Sequence, residues 1–382
     1  MKILVLNYEY PPLGGGGASV CRDLAEEMGR VGHQVTVITM GYHGLPELEQ
    51  NGNVSVIRVK CLRAKKHSCS SGEAASYVAS AIIYLRKHLV NCHYDACHSH
   101  FVLPTGLIAL WIKKYTGLPF LITAHGSDVE GHNTKTSVRL MHRLMRPYWK
   151  QIVRQSVGVA VPSEHLMSLA RKAVPDGRYI LIPNGLRLEE YKTDIEEKKH
   201  RILLLGRMRK EKNIETVLKA ISRISADEWG DWKVEILGDG PERENLEHLA
   251  EVLSIQQRVV FRGWVENGNP QYKEALKHAA IFISASRFEN CPMAVLEAIA
   301  SGCCPLLSDI DGHRQFFRNT EKSDQFFFPS ERADLLAKQL LTQMKQVTMW
   351  KPINIDLTKF SIEMVCHLYL EELEKSKKSC FL

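Results

Sequence analysis

Two glutamates in the stretch SRFENCPMAVLEAIASG have a spacing that would let both bind hydroxyl groups of one ligand. Seven residues separate Glu289 from Glu297. Glu289 precedes Pro292, which suits the first turn of a helix, so we expect Glu297 about a turn and a half inside that helix. The two carboxylates could accept hydrogen bonds from sugar hydroxyls at two points, and the helix N-terminus would favour a phosphate. Taken alone, Glu297 could equally be a surface helix residue.

A pair of basic residues could stabilise negative charge on the same ligand. Arg207 and Lys212 follow the apolar run RILLLG, so they belong to the loop after a predicted strand. Fixed cations in such a loop would stabilise a diphosphate that leaves from a sugar. A solvated basic loop is the alternative, because Arg209 and Lys210 lie between them.

Four consecutive glycines, Gly14 to Gly17, lie between the first apolar run and a predicted helix. A dinucleotide fingerprint is disfavoured, because Ser19 stands where its third glycine should be and the acidic residue about 20 positions further on is missing. The loop could still present backbone N–H groups at a helix end and let a ligand approach closely. A flexible turn after Pro11–Pro12 is the alternative.

Both halves of the chain alternate apolar, strand-like runs with helical segments. One series begins with KILVLN and SVCRDLAEEMGRVG, and a second begins with RILLLGR and NIETVLKAISRI after the charged stretch KTDIEEKKH. This alternation predicts the α/β class, with two doubly wound, Rossmann-like domains that face a central cleft. We place the domains at residues 1–185 and 186–360 and expect ligands at the carboxyl ends of their strands.

The composition limits the environment and the partners. A net charge of +7 permits an anionic partner without requiring one, and no nucleic-acid partner is predicted. The ten cysteines include no C-x-x-C pair. That pattern disfavours a structural zinc site and indicates a reducing compartment. We therefore predict a cytoplasmic protein, whose oligomeric state the sequence leaves open.

Motifs along the whole chain agree with one known family. GRMRKEKN is similar to a G-R-x4-K phosphate segment, and ENCPMAVLEAIASG is similar to an E-x7-E segment. Together with YPPLGGGGA, HSHFVLPTG, AHGSD, IPNG and LGDGPERENLE, they resemble the ordered motifs of retaining GT-B glycosyltransferases, specifically glycosyltransferase family 4. KFSIEMVCHLYLEELEK resembles that family's C-terminal helix, so residues 361–382 are expected to cross back to the N-terminal domain.

The resemblance implies a role for each candidate residue. Glu297 would bind the ribose hydroxyls, Glu289 the hydroxyls of the donor sugar, and His125 would lie by that sugar on the acceptor side. The predicted catalytic residues are His125, Arg207, Lys212 and Glu289. The predicted donor-binding residues are Gly15, Gly16, Asp128, Arg207, Lys212, Arg262, Gly263, Glu289, Asn290 and Glu297. Asn290–Cys291 departs from the family, which usually has a glycine and a small or apolar residue there.

The reaction implied by the resemblance is transfer from a nucleotide sugar, with a UDP-sugar expected as the donor, to an acceptor hydroxyl with retention of configuration. The acceptor would belong to lipid-linked glycan, glycolipid or cell-surface polysaccharide synthesis. No cofactor or metal is expected. Asp309-Ile310-Asp311 has a D-x-D pattern that we interpret as coincidental, and we interpret His98 and His100 as packing and cleft residues. The alternatives are a sugar-nucleotide 2-epimerase and a non-catalytic sugar-nucleotide-binding protein.

The stretch KTSVRLMHRLMRPYWKQIVRQ contains no acidic residue. Its basic residues recur every three or four positions and would form one stripe on a helix, beside an apolar face. They are Lys135, Arg139, Arg143, Arg146, Lys150 and Arg154. This pattern predicts peripheral contact with an anionic membrane that carries the acceptor. The alternative is a solvated basic face whose apolar side packs inward, and Pro147 is expected to kink or break the helix.

Overall fold

The computed structural model describes residues 1–89, 93–132, 136–192, 198–265, 269–318, 320–321, 323–346 and 355–379. The chain divides into two compact units. Unit 1 consists of Met1–Gly185 together with Lys359–Leu382, and unit 2 consists of Leu186–Thr358. Unit 2 is therefore inserted between two segments of the chain that build unit 1.

The strands and helices alternate along both units. The strands are β1 (Lys2–Leu6), β2 (Gln34–Met40), β3 (Leu48–Asn51), β4 (Val54–Val59), β5 (Ala96–His100), β6 (Phe120–Thr123), β7 (Gly158–Val161), β8 (Tyr179–Leu181), β9 (Lys199–Leu205), β10 (Lys233–Leu237), β11 (Val259–Gly263), β12 (Ala279–Ser284), β13 (Cys304–Ser308) and β14 (Phe327–Phe328). The α-helices are α1 (Gly16–Arg30), α2 (Ser71–His88), α3 (Thr105–Thr116), α4 (Thr136–Gln155), α5 (Glu164–Ala173), α6 (Ile214–Ile221), α7 (Ala226–Trp229), α8 (Arg243–Val252), α9 (Pro270–His278), α10 (Met293–Ala300), α11 (Asp311–Arg314), α12 (Ala333–Gln346) and α13 (Ile362–Ser379). Short 3-10 helices span Leu188–Tyr191, Lys210–Lys212, Gln315–Phe317, Ser323–Phe326 and Thr358–Phe360.

The sheet of unit 1 has the strand order β3-β4-β2-β1-β5-β6-β7-β8 and is parallel except for β3. Strands β1, β6 and β7 are almost continuously apolar because helices cover both faces of the sheet, whereas the central strand β5 (ACHSH) carries buried polar side chains. Helices α2 to α5 contribute to the core on one face. Helices α1 and α13 supply the core on the other face, so the last described helix of the chain completes the first unit.

Strand β3 is the element of this sheet that the sequence pattern did not predict. All four of its residues, LEQN, are exposed, and three of them are polar. The strand pairs antiparallel with β4 through a turn at Gly52, where φ is 54°. A short hairpin strand at the sheet edge buries no apolar side chain, so it leaves no periodic signal in the sequence.

The sheet of unit 2 has the strand order β11-β10-β9-β12-β13-β14, and each of its strand pairs is parallel. Strands β9 and β12 are neighbours at its centre, although α6 to α9 and two strands separate them in the chain. The α/β class with two doubly wound sheets is thus confirmed. The topology also places the loops after β9, β10, β12 and β13 at one edge of the sheet.

Helix α4 runs without interruption through Pro147. Of the two effects expected of this residue, a kink or a break, the break is therefore wrong. The C-terminal half of the helix is anchored by buried Trp149, Ile152 and Val153, and Trp149 Nε1 donates to the carbonyl of Asp128 at 2.9 Å. Tertiary packing of this kind overrides the low helix propensity of proline. None of the helices in the described ranges has the length and apolarity needed to cross a bilayer.

Candidate functional site

In unit 2, the loops after two adjacent strands bring Lys212 and Glu289 together. Lys212 ends the 3-10 helix that follows β9, and Glu289 lies between β12 and α10. The backbone N–H of Arg287 donates to the carbonyl of Glu211 at 2.9 Å, which joins the two loops. Lys212 Nζ donates to Glu289 Oε1, so two of the residues singled out in the sequence form an ion pair.

The surroundings of Glu289 keep its carboxyl group ionised. Burial alone would raise its pKa, but the Lys212 ammonium, with help from Ser286, holds the pKa below the usual value. Ser286 Oγ donates to the same Glu289 oxygen at 2.8 Å. The side chain keeps 15% of its surface exposed, so the carboxylate is fixed in position but still accessible to a ligand.

Residues after β13 pack against the loop that carries Glu289. A Cβ atom at Gly312 would collide with the backbone carbonyl of Glu289, so only glycine permits this approach. His313 Nε2 lies 3.2 Å from Ser284 Oγ, and burial lowers the pKa of His313 to about 4. Gln315 Nε2 donates to the carbonyl of Asn290. The glycine after the strand end CCPLLSD was the only sequence signal for this support, and it was missed.

Glu297 lies on α10, which begins one residue after Pro292. The side chain is 2% exposed, so it is a buried residue and not a surface position of the helix. Tyr272 on α9 donates its hydroxyl to Oε2, and the Tyr191 hydroxyl lies 3.5 Å from Oε1. Both tyrosines are distant in sequence and were missed.

The loop that carries Arg207 packs tightly against the loop after β10. Gly238 has a φ of 147°, and a Cβ atom there would collide with the backbone of Gly206. Met208 N–H donates to the Asp239 carbonyl at 2.9 Å. Arg207 is half-buried directly after Gly206, so the backbone of its loop is held from both sides.

Arg262 and Gly263 end β11, one strand further from the centre of the sheet. The Arg262 guanidinium lies 3.4 Å from Glu235 Oε1, which also pairs with Arg201 at 3.1 Å. The Gly263 carbonyl accepts from the Gly238 N–H at 2.7 Å. Gly263 therefore adjoins the Gly238 loop, while Arg262 is directed to Glu235 along the strand edge.

In unit 1, the four glycines of the opening loop have different surroundings. Gly14 has a φ of 95°, and Gly15 is the N-cap of α1. A Cβ at Gly17 would lie 2.9 Å from Phe101 Cζ and 3.4 Å from His125 Nδ1. At Gly16, apart from its chain neighbours and the adjoining backbone of α1, no atom of the described residues lies within 4 Å of the Cβ position. Packing thus accounts for Gly17 but does not account for Gly16.

His125 follows β6 and sits among other aromatic rings. Its Nε2 lies 3.0 Å from His100 Nδ1, and its ring centroid lies 4.4 Å from that of Phe101. Burial lowers the pKa of His125 to about 4. His98 and His100 are fully buried on β5, which agrees with the packing role expected of them and not with exposure to a cleft.

Asp128 holds the loop that carries His125. Its Oδ1 accepts from the backbone N–H groups of His125 and Gly126, at 3.0 and 2.9 Å, and its Oδ2 accepts from Val102 at 2.7 Å. Burial raises the pKa of Asp128, whereas these N–H groups oppose the rise. The structure therefore gives Asp128 a positioning role, and its predicted contact with the donor stays a prediction.

The first aspartate of the D-x-D pattern contacts an arginine. Both oxygens of Asp309 accept from the Arg314 guanidinium, which also contacts Asp324 at 3.0 Å. Asp311 begins α11. Within the described ranges, no three His, Cys, Asp or Glu side chains are grouped as they would be to hold a metal ion.

Two family models match the chain. "Glycosyl transferases group 1" matches residues 188–348, and "Glycosyltransferase Family 4" matches residues 14–190. Together with the two doubly wound units and the loops at their strand ends, these matches support a GT-B glycosyltransferase of the family 4 type.

Individual proteins agree with this class. The chain is 28% identical to the uncharacterized glycosyltransferase MJ1607 of Methanocaldococcus jannaschii, over 84% of this chain and 83% of that protein. It is 24% identical to the alpha-monoglucosyldiacylglycerol synthase of Streptococcus pneumoniae, over 86% of this chain and 74% of that protein. Anabaena Alr3699/HepE in complex with UDP-glucose has a similar fold, with a TM-score of 0.70, 14% identity, and coverage of 98% of this chain and 100% of that one.

Proposed function

We propose that the protein transfers a sugar from a nucleotide-diphosphate sugar, specifically a UDP-sugar, to an acceptor hydroxyl with retention of the anomeric configuration. The observation that carries the proposal is the Lys212–Glu289 ion pair, which lies at the ends of the adjacent strands β9 and β12. Arg207 in the same loop supplies a second cation. This arrangement offers positive charge for a leaving diphosphate and a carboxylate for sugar hydroxyls.

The proposed roles within unit 2 are those that the family resemblance implies, and the burial and contacts of the residues are compatible with them. Lys212 and Arg207 bind the diphosphate, and Glu289 accepts from hydroxyls of the transferred sugar. Glu297, oriented by Tyr272, binds the ribose hydroxyls. The choice of uridine as the base is supported by the UDP-glucose complex of the structural neighbour. We predict that the base contacts the backbone near Gly263.

Unit 1 is proposed to contribute the opening loop and His125. Gly15 and Gly16 begin α1, where backbone N–H groups and the helix dipole favour a phosphate. The open position beside Gly16 is compatible with a closely approaching ligand. We propose that the leaving phosphate takes the acceptor proton, so that no protein nucleophile and no metal take part.

The transfer proposal is tested by incubating the protein with a panel of nucleotide sugars and following release of the nucleoside diphosphate. A donor at 100 times its Kd should add about 2.7 kcal/mol of stability in a thermal-shift assay. NMR of the product reports its configuration, and excess EDTA tests the need for metal. An inverted product, or activity that EDTA abolishes and magnesium or manganese restores, contradicts the proposal. Conversion of the donor into its 2-epimer without an acceptor, and with no net release of nucleoside diphosphate, would instead favour a 2-epimerase.

We further propose that the acceptor is presented at an anionic membrane surface and that α4 contacts this surface from the cytoplasmic side. Leu140, Leu144 and Tyr148 form a ridge whose side chains are 58%, 69% and 53% exposed. Arg139, Arg143 and Arg146 beside the ridge are also exposed. The alternative, in which the apolar side packs inward, explains why Trp149 and Ile152 are buried. It does not explain why the three side chains of the ridge are exposed.

A relative supports this choice of acceptor. The Streptococcus pneumoniae protein is named as a synthase of a glucosylated diacylglycerol, which is a membrane lipid. An exposed apolar ridge between arginines suits insertion at the level of lipid headgroups. Lys135, the first residue of the predicted basic stripe, lies outside the described residues.

A further inference from the structure

A series of hydrogen bonds and one ring contact crosses the ends of β5 and β6 in unit 1 and reaches α13. His98 Nε2 lies 2.7 Å from Thr123 Oγ1, which donates to the Tyr369 hydroxyl at 2.9 Å. The His98 and His100 rings lie 4.4 Å apart, and His100 Nδ1 lies 3.0 Å from His125 Nε2. This series places three imidazoles in succession, and the last of them is the ring assigned to the reaction.

The contacts specify which ring nitrogens carry hydrogen. Because Thr123 donates to Tyr369, its oxygen accepts from His98, so the hydrogen of His98 is on Nε2. Among the described residues, His100 Nε2 has no hydrogen-bond partner. A buried N–H group without a protein acceptor is unfavourable, so the hydrogen of His100 belongs on Nδ1. His100 then donates to His125 Nε2.

The other edge of the His125 ring faces the opening loop. Once Nε2 accepts a hydrogen bond, a neutral His125 carries its own hydrogen on Nδ1. A Cβ built on Gly17 would lie 3.4 Å from Nδ1, so this nitrogen adjoins the first turn of α1. The ring N–H of His125 and the backbone N–H groups at the N-terminus of α1 would therefore donate to the same kind of ligand atom, an oxygen with available lone pairs.

We propose that His100 is a positioning residue that holds His125 as the Nδ1–H tautomer, so that His125 acts as a hydrogen-bond donor to a substrate oxygen and not as a proton acceptor. The identity of that oxygen, on a phosphate or a sugar, rests on the proposed function. The tautomer itself does not, since it follows from contacts within unit 1. His125 would accordingly stabilise charge during transfer and leave the acceptor proton to the departing phosphate.

The tautomer can be measured directly in the wild-type protein. Selective 15N-histidine labelling and two-bond 1H–15N correlation at pH 7 distinguish Nδ1–H from Nε2–H, and the His125 signals are assigned by their loss in His125→Gln. We expect the Nδ1–H pattern for His125 and for His100. An Nε2–H pattern for His125 overturns the inference, whether or not the protein transfers sugar.

Variants of His100 test whether this residue sets the tautomer. His100→Asn keeps an N–H donor, whereas His100→Phe keeps a ring without one. We expect His100→Phe to convert His125 to a mixture of tautomers and to lower kcat by about tenfold with little change in KM, and His100→Asn to restore both. Thr123→Val is the matched control, because it cuts the series at His98 and should leave the His125 pattern unchanged.

The outcomes separate this inference from the proposed function. If His125 shows the Nδ1–H pattern but no nucleotide sugar is turned over, the proposed function fails and the positioning role stands. If His100→Phe folds and leaves the His125 pattern as in the wild type, the positioning role fails even in an active enzyme. If the His100 variants do not fold, the wild-type spectrum still tests the tautomer, because an Nε2–H pattern for His125 overturns the inference.

Discussion

Lys212 and Glu289 form a direct ion pair although 77 positions separate them in the chain. Each residue is also a candidate ligand for a different part of the donor, the diphosphate and the sugar. The pair therefore holds a cation and a carboxylate ready at one edge of the unit 2 sheet. Side chains that are already ordered lose less conformational entropy when a ligand binds.

We expect Glu289→Gln and Lys212→Met each to lower kcat/KM by at least about tenfold, because a hydrogen bond to a charged group is worth about 1.5–3 kcal/mol. The double variant should lose less than the product of the two single effects, since the residues act together. Steady-state kinetics of the three variants measures the coupling.

The exposed ion pair of Lys219 and Glu215 on α6 provides the matched control. Lys219→Met and Glu215→Gln remove the same chemical groups from the same unit, and exposed pairs contribute little. These variants should keep kcat/KM near the wild-type value. Near-normal turnover in both Lys212→Met and Glu289→Gln would instead refute their assignment to the donor site.

Tyr272→Phe should weaken binding of the nucleotide, because it removes one of the hydroxyl donors that orient the buried Glu297. We expect Kd for UDP to rise by about tenfold or more, and Glu297→Ala to lower transfer at least as much. Isothermal titration with UDP and with 2′-deoxy-UDP measures the effect. The loss should be much smaller for the deoxy ligand, which lacks a ribose hydroxyl.

Tyr77→Phe is a control for the general cost of removing a buried hydroxyl, because Tyr77 donates to the Ile38 carbonyl at 2.8 Å in unit 1. It should lower stability without changing the Kd for UDP. Equal losses for UDP and 2′-deoxy-UDP in Tyr272→Phe would show that Glu297 does not bind the ribose.

Co-sedimentation with vesicles containing anionic lipid should bring the wild-type protein into the pellet at low salt and less of it at high salt. Reversing Arg139, Arg143 and Arg146 to Glu should abolish this binding, and Leu144→Ser should weaken it. Reversing Lys219, Arg223 and Lys233 in unit 2 makes the same change in net charge and should leave binding intact. If the wild type stays in the supernatant, a soluble acceptor becomes the better interpretation.

The stability of the protein should fall as the pH drops from about 6.5 toward 4. Burial lowers the pKa of His313 to about 4 and that of His98 to about 3. In this interval the unfolded chain binds protons that the folded protein does not, so stability is full above the unfolded pKa and is lost as the pH falls. Each histidine can contribute a slope of up to about 1.4 kcal/mol per pH unit.

Chemical denaturation at several pH values measures this slope for each unit. His313→Gln should reduce the slope for unit 2, where that histidine lies. Tyr179→Phe, which removes a buried hydroxyl of unit 1 but no group that titrates in this range, should lower stability and keep the slope. A slope that His313→Gln leaves unaltered would contradict the linkage.

The sequence was sufficient where the place of a residue in the fold follows from local spacing. The E-x7-E stretch predicted a loop glutamate before a helix and a second glutamate inside it, and both lie there. The apolar run RILLLG predicted β9 and therefore the loop that carries Arg207 and Lys212. These features can be predicted because the periodicity of a strand or a helix depends on consecutive residues.

Contacts between segments that are distant in the chain could not be predicted from the sequence. Tyr272 reaches Glu297 from another helix, and the role of Gly312 depends on the carbonyl of Glu289, which follows a different strand. Neither Tyr272 nor Gly312 belongs to a recognisable sequence motif. Pro147 failed as a helix breaker for a related reason, since the packing of Trp149 outweighs a local preference.

The interruption of unit 1 by unit 2 has a consequence for how the chain is synthesised. Apolar side chains of α13 complete one face of the unit 1 core, and they are Ile362, Val365, Cys366, Tyr369 and Leu373. A ribosome releases these residues only after all of unit 2, so that face stays uncovered while unit 2, which is contiguous, can already fold. Premature termination before α13 should therefore leave a folded unit 2 attached to an aggregation-prone unit 1.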